Sequence, residues 1–158
     1  MRTLLKLSTL FLALLILNPQ QSEAQIKAGL GAAFASDIEQ VGVQGDLHYR
    51  IADLPVQIGG SLVYYIPKDN RDFLEANLNG SFIFYEESMF KSYLYAGLYL
   101  ARSEINNQNS SVLNRAIGMN VGVGAEYDFG PLLGFGDLKY VTGEFNQPNF
   151  AIGLRLPF

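Results

Sequence analysis

The sequence predicts an all-β fold, an eight-stranded antiparallel up-and-down transmembrane β-barrel. Three observations carry this. Apolar residues recur at every second position in eight separate segments. Each segment is about as long as the 9–11 residues a tilted strand needs to cross a bilayer. Short turns alternate with longer polar connections, the pattern of a barrel whose rims face different compartments. After the first segment of the chain, no run of about 18 apolar residues offers a spanning helix.

Met1 to Lys6 carries two positive charges, LSTLFLALLIL (Leu7 to Leu17) is apolar, and Asn18-Pro19 breaks it. Ser22-Glu23-Ala24 places small residues where a signal peptidase reads. This is the pattern of a secretory signal peptide over 1–24, cut before Gln25, with a barrel domain over 25–158. A membrane anchor is the competing reading, but the apolar run is too short to span comfortably.

The first strand, QIKAGLGAAFA, sets Ile26, Ala28, Leu30, Ala32 and Phe34 against Lys27, Gly29, Gly31 and Ala33. The second sets Val41, Val43, Leu47, Tyr49 and Ile51 against Gly42, Gln44, Asp46, His48 and Arg50. In the third, LPVQIGGSLVYYI, the apolar phase is Leu54, Val56, Ile58, Leu62, Tyr64 and Ile66. The fourth opposes Leu74, Ala76, Leu78, Phe82 and Phe84 to Glu75, Asn77, Asn79 and Ser81. The fifth, YLYAGLYLA, opposes Leu94, Ala96, Leu98 and Leu100 to Tyr93, Tyr95, Gly97 and Tyr99. The sixth, AIGMNVGVGAEYDF, runs from Ile117 to Phe129 in its apolar phase, against Gly118, Asn120, Gly122, Gly124, Glu126 and Asp128. FGDLKYVT is shorter, and NFAIGLRLPF is the last. Tight turns fall near Ala52-Asp53, Glu86–Ser88 and Gly130–Gly134. Polar loops fall at Ser36–Gln40, Pro67–Asp72, Ser103–Asn114 and Gly143–Asn149.

Alternation does not by itself say which face is outside. A lipocalin-like barrel buries its apolar phase, and a membrane barrel exposes it. The apolar phase holds one charge, Arg102, at a strand end. A charge facing lipid at the midplane costs roughly 2–4 kcal/mol, so this purity suits a lipid face. The other phase is rich in Gly, Ala, Asn and Ser, as a narrow lumen requires. Aromatics collect near strand ends, with Phe34, Tyr64 and Phe150 toward one rim and Tyr49, Phe84, Phe90, Tyr127, Phe129 and Phe158 toward the other. Such girdles suit the headgroup level.

Only 16% of the 158 residues are charged, the net charge is −4, and cysteine is absent. There is no basic footprint for nucleic acid. Disulfides and thiolate metal sites are excluded, and no cofactor is implied. The inward phase carries Lys27, Asp46, Arg50, Glu75, Glu126, Asp137, Lys139 and Arg155, four positive and four negative. Such a balance predicts an ion-pair network that plugs the lumen, centred on Glu126, Lys139 and Arg155, with Lys27 joining if the barrel closes. His48 is the sole histidine, lies in the inward phase, and has no serine within four residues. That argues against nucleophilic catalysis, and His48 with Asp46 falls short of a metal-ligand set. The Gly-x-Gly runs precede no helix and read as strand glycines.

On VGVGAEYDF (Val121 to Phe129), YLYAGLYLA (Tyr93 to Ala101) and the terminal AIGLRLPF, the chain resembles the small eight-stranded outer-membrane barrels of the OmpA/OmpX type, the porin-family "outer membrane protein beta-barrel domain" group. The resemblance implies that Ile152, Leu154, Leu156 and Phe158 form the terminal signal read by the barrel-assembly machinery, with Pro157 a departure. It also implies the outer membrane of a Gram-negative bacterium, and outer-membrane lipid as a partner. No C-terminal peptidoglycan-binding domain is expected. The expectation for function is a monomeric, non-enzymatic barrel acting in envelope structure or in surface interaction through its loops, above all Ser103–Asn114. The alternatives are a narrow passive channel and a soluble periplasmic lipocalin-like binding barrel.

Overall fold

The computed structural model describes residues 26–68, 71–107, 110–143 and 146–158. The expected leader, 1–24, lies outside the described residues. Eight strands follow one another: β1 (Ile26–Ala35), β2 (Gln40–Arg50), β3 (Val56–Lys68), β4 (Arg71–Glu87), β5 (Phe90–Asn107), β6 (Ser110–Asp128), β7 (Leu133–Thr142) and β8 (Gln147–Pro157). Each pairs antiparallel with its sequence neighbours, and β8 returns to β1, so the barrel is closed and has no free edge.

Strand alternation sorts the two faces. On β5, Tyr93 and Tyr99 are buried at 1% and 0% exposure, while Leu94 and Leu98 stand out at 53% and 57%. The same division holds around the wall: Leu30, Leu62, Leu78, Val121, Leu138 and Ile152 all point outward. A continuous apolar belt of this kind is not sustained in water and is the surface a bilayer requires. The apolar phase therefore does not line a ligand cavity, as a lipocalin-like barrel would demand.

The pairing rows climb as they go round. Starting at Ile26, partners run through Tyr49, Ile58, Gly80, Ala96, Val121, Tyr140 and Pro148. Pro148 then meets β1 at Ser36, whose N–H it accepts, and not at Ile26. This stagger tilts the strands against the barrel axis. Ile26 and Phe158 share the end with the short turns, where the Phe158 N–H donates to the Ile26 carbonyl at 2.8 Å.

Two expectations change. Ser103–Asn114, expected as a loop, is a paired hairpin from Ser103↔Asn114 to Asn107↔Ser110, with only 108–109 outside the described residues. Likewise Lys68 pairs with Arg71 inside the expected loop Pro67–Asp72. Polar composition marks water on both faces, but backbone pairing is indifferent to side-chain polarity once the register is set. As a result β4, β5 and β6 reach 17, 18 and 19 residues and outrun the belt. The second change is a register shift between Ile83 and Tyr85, which leaves Phe84 and Tyr85 both outward. The bulge turns Glu86 inward, opposite Lys91.

Arginine at Leu78, within the belt, is expected to lower the unfolding free energy by about 2–4 kcal/mol, and arginine at Leu113, beyond it, by about 0–1 kcal/mol. Denaturant titration in lipid vesicles reads both; equal losses would contradict the belt as drawn.

Candidate functional site

Small residues open the lumen and charged ones fill it. Arg155, on β8, is 1% exposed and uses all five of its N–H donors. Nε and Nη2 grip the Asp46 carboxylate at 3.0 and 3.1 Å. Nη1 donates to Glu126 and to the Tyr93 hydroxyl, both at 2.8 Å. Nη2 also donates to Asp137 at 3.0 Å. The guanidinium lies 3.9 Å from the centre of the Phe135 ring, a cation–π contact. The Tyr93 hydroxyl in turn donates a hydrogen bond to Asp137 at 2.6 Å.

Glu126 links this centre to the turn end. Its Oε2 accepts from Lys27 at 2.7 Å and stands 3.0 Å from Lys91. Lys91 is 3.9 Å from Glu86, which Arg50 holds bidentately at the rim at 2.6 and 2.9 Å. Arg155 and Lys27, both buried, and the partly buried Lys91 thus face Asp46, Glu126 and Asp137, three charges of each sign. Gly29 and Gly124 make this possible. A Cβ at Gly29 would collide with Asp46, and one at Gly124 with Asp137 and the Tyr93 ring.

A second polar layer lies toward the opposite end. Glu75, fully buried, meets the Lys139 ammonium and accepts from Asn77 at 2.8 Å, Asn149 at 3.0 Å and the Tyr65 hydroxyl at 3.4 Å. Asn120 donates to Asn77 at 3.2 Å. Tyr65, Phe73, Tyr99, Ala101, Ala116 and Val141 pack as buried neighbours of this layer. Between the layers is a cavity lined by Gln44, His48, Ser61, Asn79, Tyr95 and Lys139 among others.

The eight inward charges therefore divide into separate groups. Lys27, Asp46, Glu126, Asp137 and Arg155 come together; Glu75 and Lys139 form the other layer; Arg50 stays at the rim. Lys139 does not join Glu126 and Arg155 as expected. Its partner on β8 is Asn149, six residues from Arg155, so the stagger sets it level with Glu75 across the lumen. Lys91 and Glu86 were not among the expected charges. Lys91 continues the Tyr93-Tyr95 phase and was legible from it; Glu86 is inward only because of the bulge.

His48 stands opposite Gly59, with Nε2 3.6 Å from Asp46 and Nδ1 lacking a hydrogen-bond partner. No serine–histidine relay is assembled among the described residues, nor any group of three or more His, Asp or Glu that could hold a metal. What the arrangement does chemically is neutralise and fill.

Replacing Arg155 with methionine leaves Asp46 and Asp137 without the cation that pairs them, while Glu126 keeps Lys27 and Lys91. It is expected to cost about 3–5 kcal/mol of unfolding free energy, since an unpaired buried charge is strongly destabilising. Arg50→Met, at the exposed rim, is expected to cost about 1 kcal/mol or less. Unfolding in detergent micelles measures the contrast, and similar losses would remove Arg155 from the centre of the network.

No family model matches the chain, and no curated protein matches it in sequence. Solved structures do. The N-terminal β-barrel domain of Pseudomonas aeruginosa OprF superposes with a TM-score of 0.74 at 18% identity, over 87% of this chain and 100% of that one. Ail, the attachment invasion locus protein of Yersinia pestis, gives 0.64 at 13% identity, over 84% and 96%. Neisserial surface protein A gives 0.53 at 22% identity, over 84% and 94%. At these identities the likeness speaks for fold alone, and it agrees with the closed antiparallel barrel of eight strands: the chain has the fold of the small eight-stranded outer-membrane β-barrels.

Proposed function

We propose that this protein is a non-enzymatic outer-membrane barrel that acts in envelope structure or surface interaction, through the β5–β6 hairpin it carries beyond the lipid. The observation that supports this most is the pairing of a plugged lumen with strands longer than the belt. Two layers of charge-balanced side chains hold the barrel rigid and leave little free cross-section, as eight strands generally do. The hairpin from Ser103↔Asn114 onward is then a backbone-paired extension of the barrel wall, and connections carried on a rigid scaffold are the usual seat of recognition. Adhesion or invasion, suggested by the name of the Yersinia protein, is one form such recognition takes; the fold does not select it.

The partners that follow are outer-membrane lipid around a monomer, the barrel-assembly machinery, and a surface ligand on the hairpin. Ile152 and Leu154 face outward on β8, and Phe158 is tied back to β1, which suits a terminal segment that is recognised and then closed into the wall. A signal peptide over 1–24 would bring the chain to the envelope. A narrow channel is the second reading. Its support is Lys91, which sits between Glu126 at 3.0 Å and Glu86 at 3.9 Å and could exchange partners at the mouth of the plug.

Planar-bilayer recording of the purified barrel is expected to show no steady large conductance; sustained channels would favour the second reading. In cells, deleting Phe158 is expected to reduce the heat-shifted, folded band in the outer membrane far more than replacing 105–112 with a short turn. Equal levels of the two variants would count against a terminal assembly signal.

A further inference from the structure

We infer that the outer wall at Arg102 and Arg115 is a seat for the phosphate of a lipid in the surrounding leaflet; this rests on the outer-membrane reading above. The two arginines are direct partners on β5 and β6. Both belong to the outward phase, and both are exposed. Like charges placed directly opposite each other destabilise a sheet unless something between them carries the opposite charge. Glu104 takes one donor of Arg102, at 2.8 Å from Nη2. Arg115 has no ion pair among the described residues.

Position in the wall selects the anion. Arg102 lies in the pairing row of Tyr64 and Leu74, and because the rows climb it stands above the girdle residue Tyr64, with Arg115 higher still. Directly beneath the arginine pair comes the apolar pair Leu100 and Ile117, and beneath that Leu98 and Met119. Ile117 is the most exposed large apolar side chain among the described residues, at 72%. Cationic heads above an apolar column match an amphiphile with a phosphate at its top and an acyl chain below it. The carboxylates that accompany the patch, Asp72 and Glu104, form the next pair beyond the arginines, on the side away from the apolar column. A shallow groove lined by Tyr64, Leu74, Asp72, Arg102 and Glu104 adjoins the seat.

The test is lipid retention. The full barrel is folded into phosphatidylcholine vesicles with and without phosphatidic acid, extracted in mild detergent, and its bound lipid quantified by mass spectrometry. At about fivefold per arginine near the surface, the double variant Arg102→Gln, Arg115→Gln is expected to retain about thirtyfold less phosphatidic acid than the parent. The Arg102→Lys, Arg115→Lys variant, which keeps the charge, is expected to retain most of it. The boiled and unboiled gel shift verifies that each variant is folded. Undiminished retention by the folded glutamine variant overturns the inference. So does displacement of the lipid by inorganic phosphate at matched concentration, which would assign the pair to a soluble anion. A chain that never enters the vesicles fails the outer-membrane reading itself, whereas one that inserts but ignores the arginines fails only this inference.

Discussion

A guanidinium buried at 1% exposure is untenable unless every donor is met and its charge is cancelled. Arg155 achieves both by collecting acceptors from four other strands: Asp46 on β2, Tyr93 on β5, Glu126 on β6 and Asp137 on β7. Lys27, from β1, completes the set through Glu126. No two adjacent strands could supply these groups. The interaction exists only when the sheet has closed, and it ties closure to the chemistry of the interior. The same network sets the glycines: the turn end of the lumen is crowded because Gly29 and Gly124 give their space to Asp46, Asp137 and Tyr93.

The wall is organised by a different constraint. In hydrocarbon every backbone donor must be met inside the structure, and a closed antiparallel ladder is the only sheet that does so. Small residues inside and large ones outside then follow from geometry, because eight strands enclose a narrow space and border an unlimited one. Charge is admitted to the outer surface only where lipid tails end. Arg102 and Arg115 obey that rule, standing above the girdle and not within the belt. The long β4–β6 strands run on past the belt, where Arg102, Glu104 and Arg115 appear. Rim and interior are thus separate systems. One is filled by paired charges; the other carries exposed cations and a backbone-paired hairpin.

Much of this was legible because the period of two is a local property. Ile152, Leu154 and Phe158 fall on one face and Arg155 on the other without any knowledge of the other strands, and the apolar phase of all eight strands together, almost free of charge, says which face is outside. The strand count, the orientation of the belt and the inward set of eight charges come from the same reading. Three details escaped it. Ser103–Asn114 looks like a loop because Asn and Ser favour turns, yet tertiary pairing overrides that preference. Glu86 lies outside the alternation because the bulge beside Phe84 shifts its phase. Arg115 precedes the apolar run of its strand and had no face until the strand was seen to extend that far.

The sequence by itself determined an eight-stranded wall, its apolar exterior and the charge balance of its interior, since all three are read from the period of two along each strand and from the residue types each phase collects over the eight strands. Only the tertiary structure decided which charges meet. That depends on the stagger with which β8 returns to β1, a quantity no single strand encodes. It sends Lys139 to Glu75 and gathers Asp46, Glu126 and Asp137 around Arg155, and it lifts two opposed arginines to the edge of the lipid.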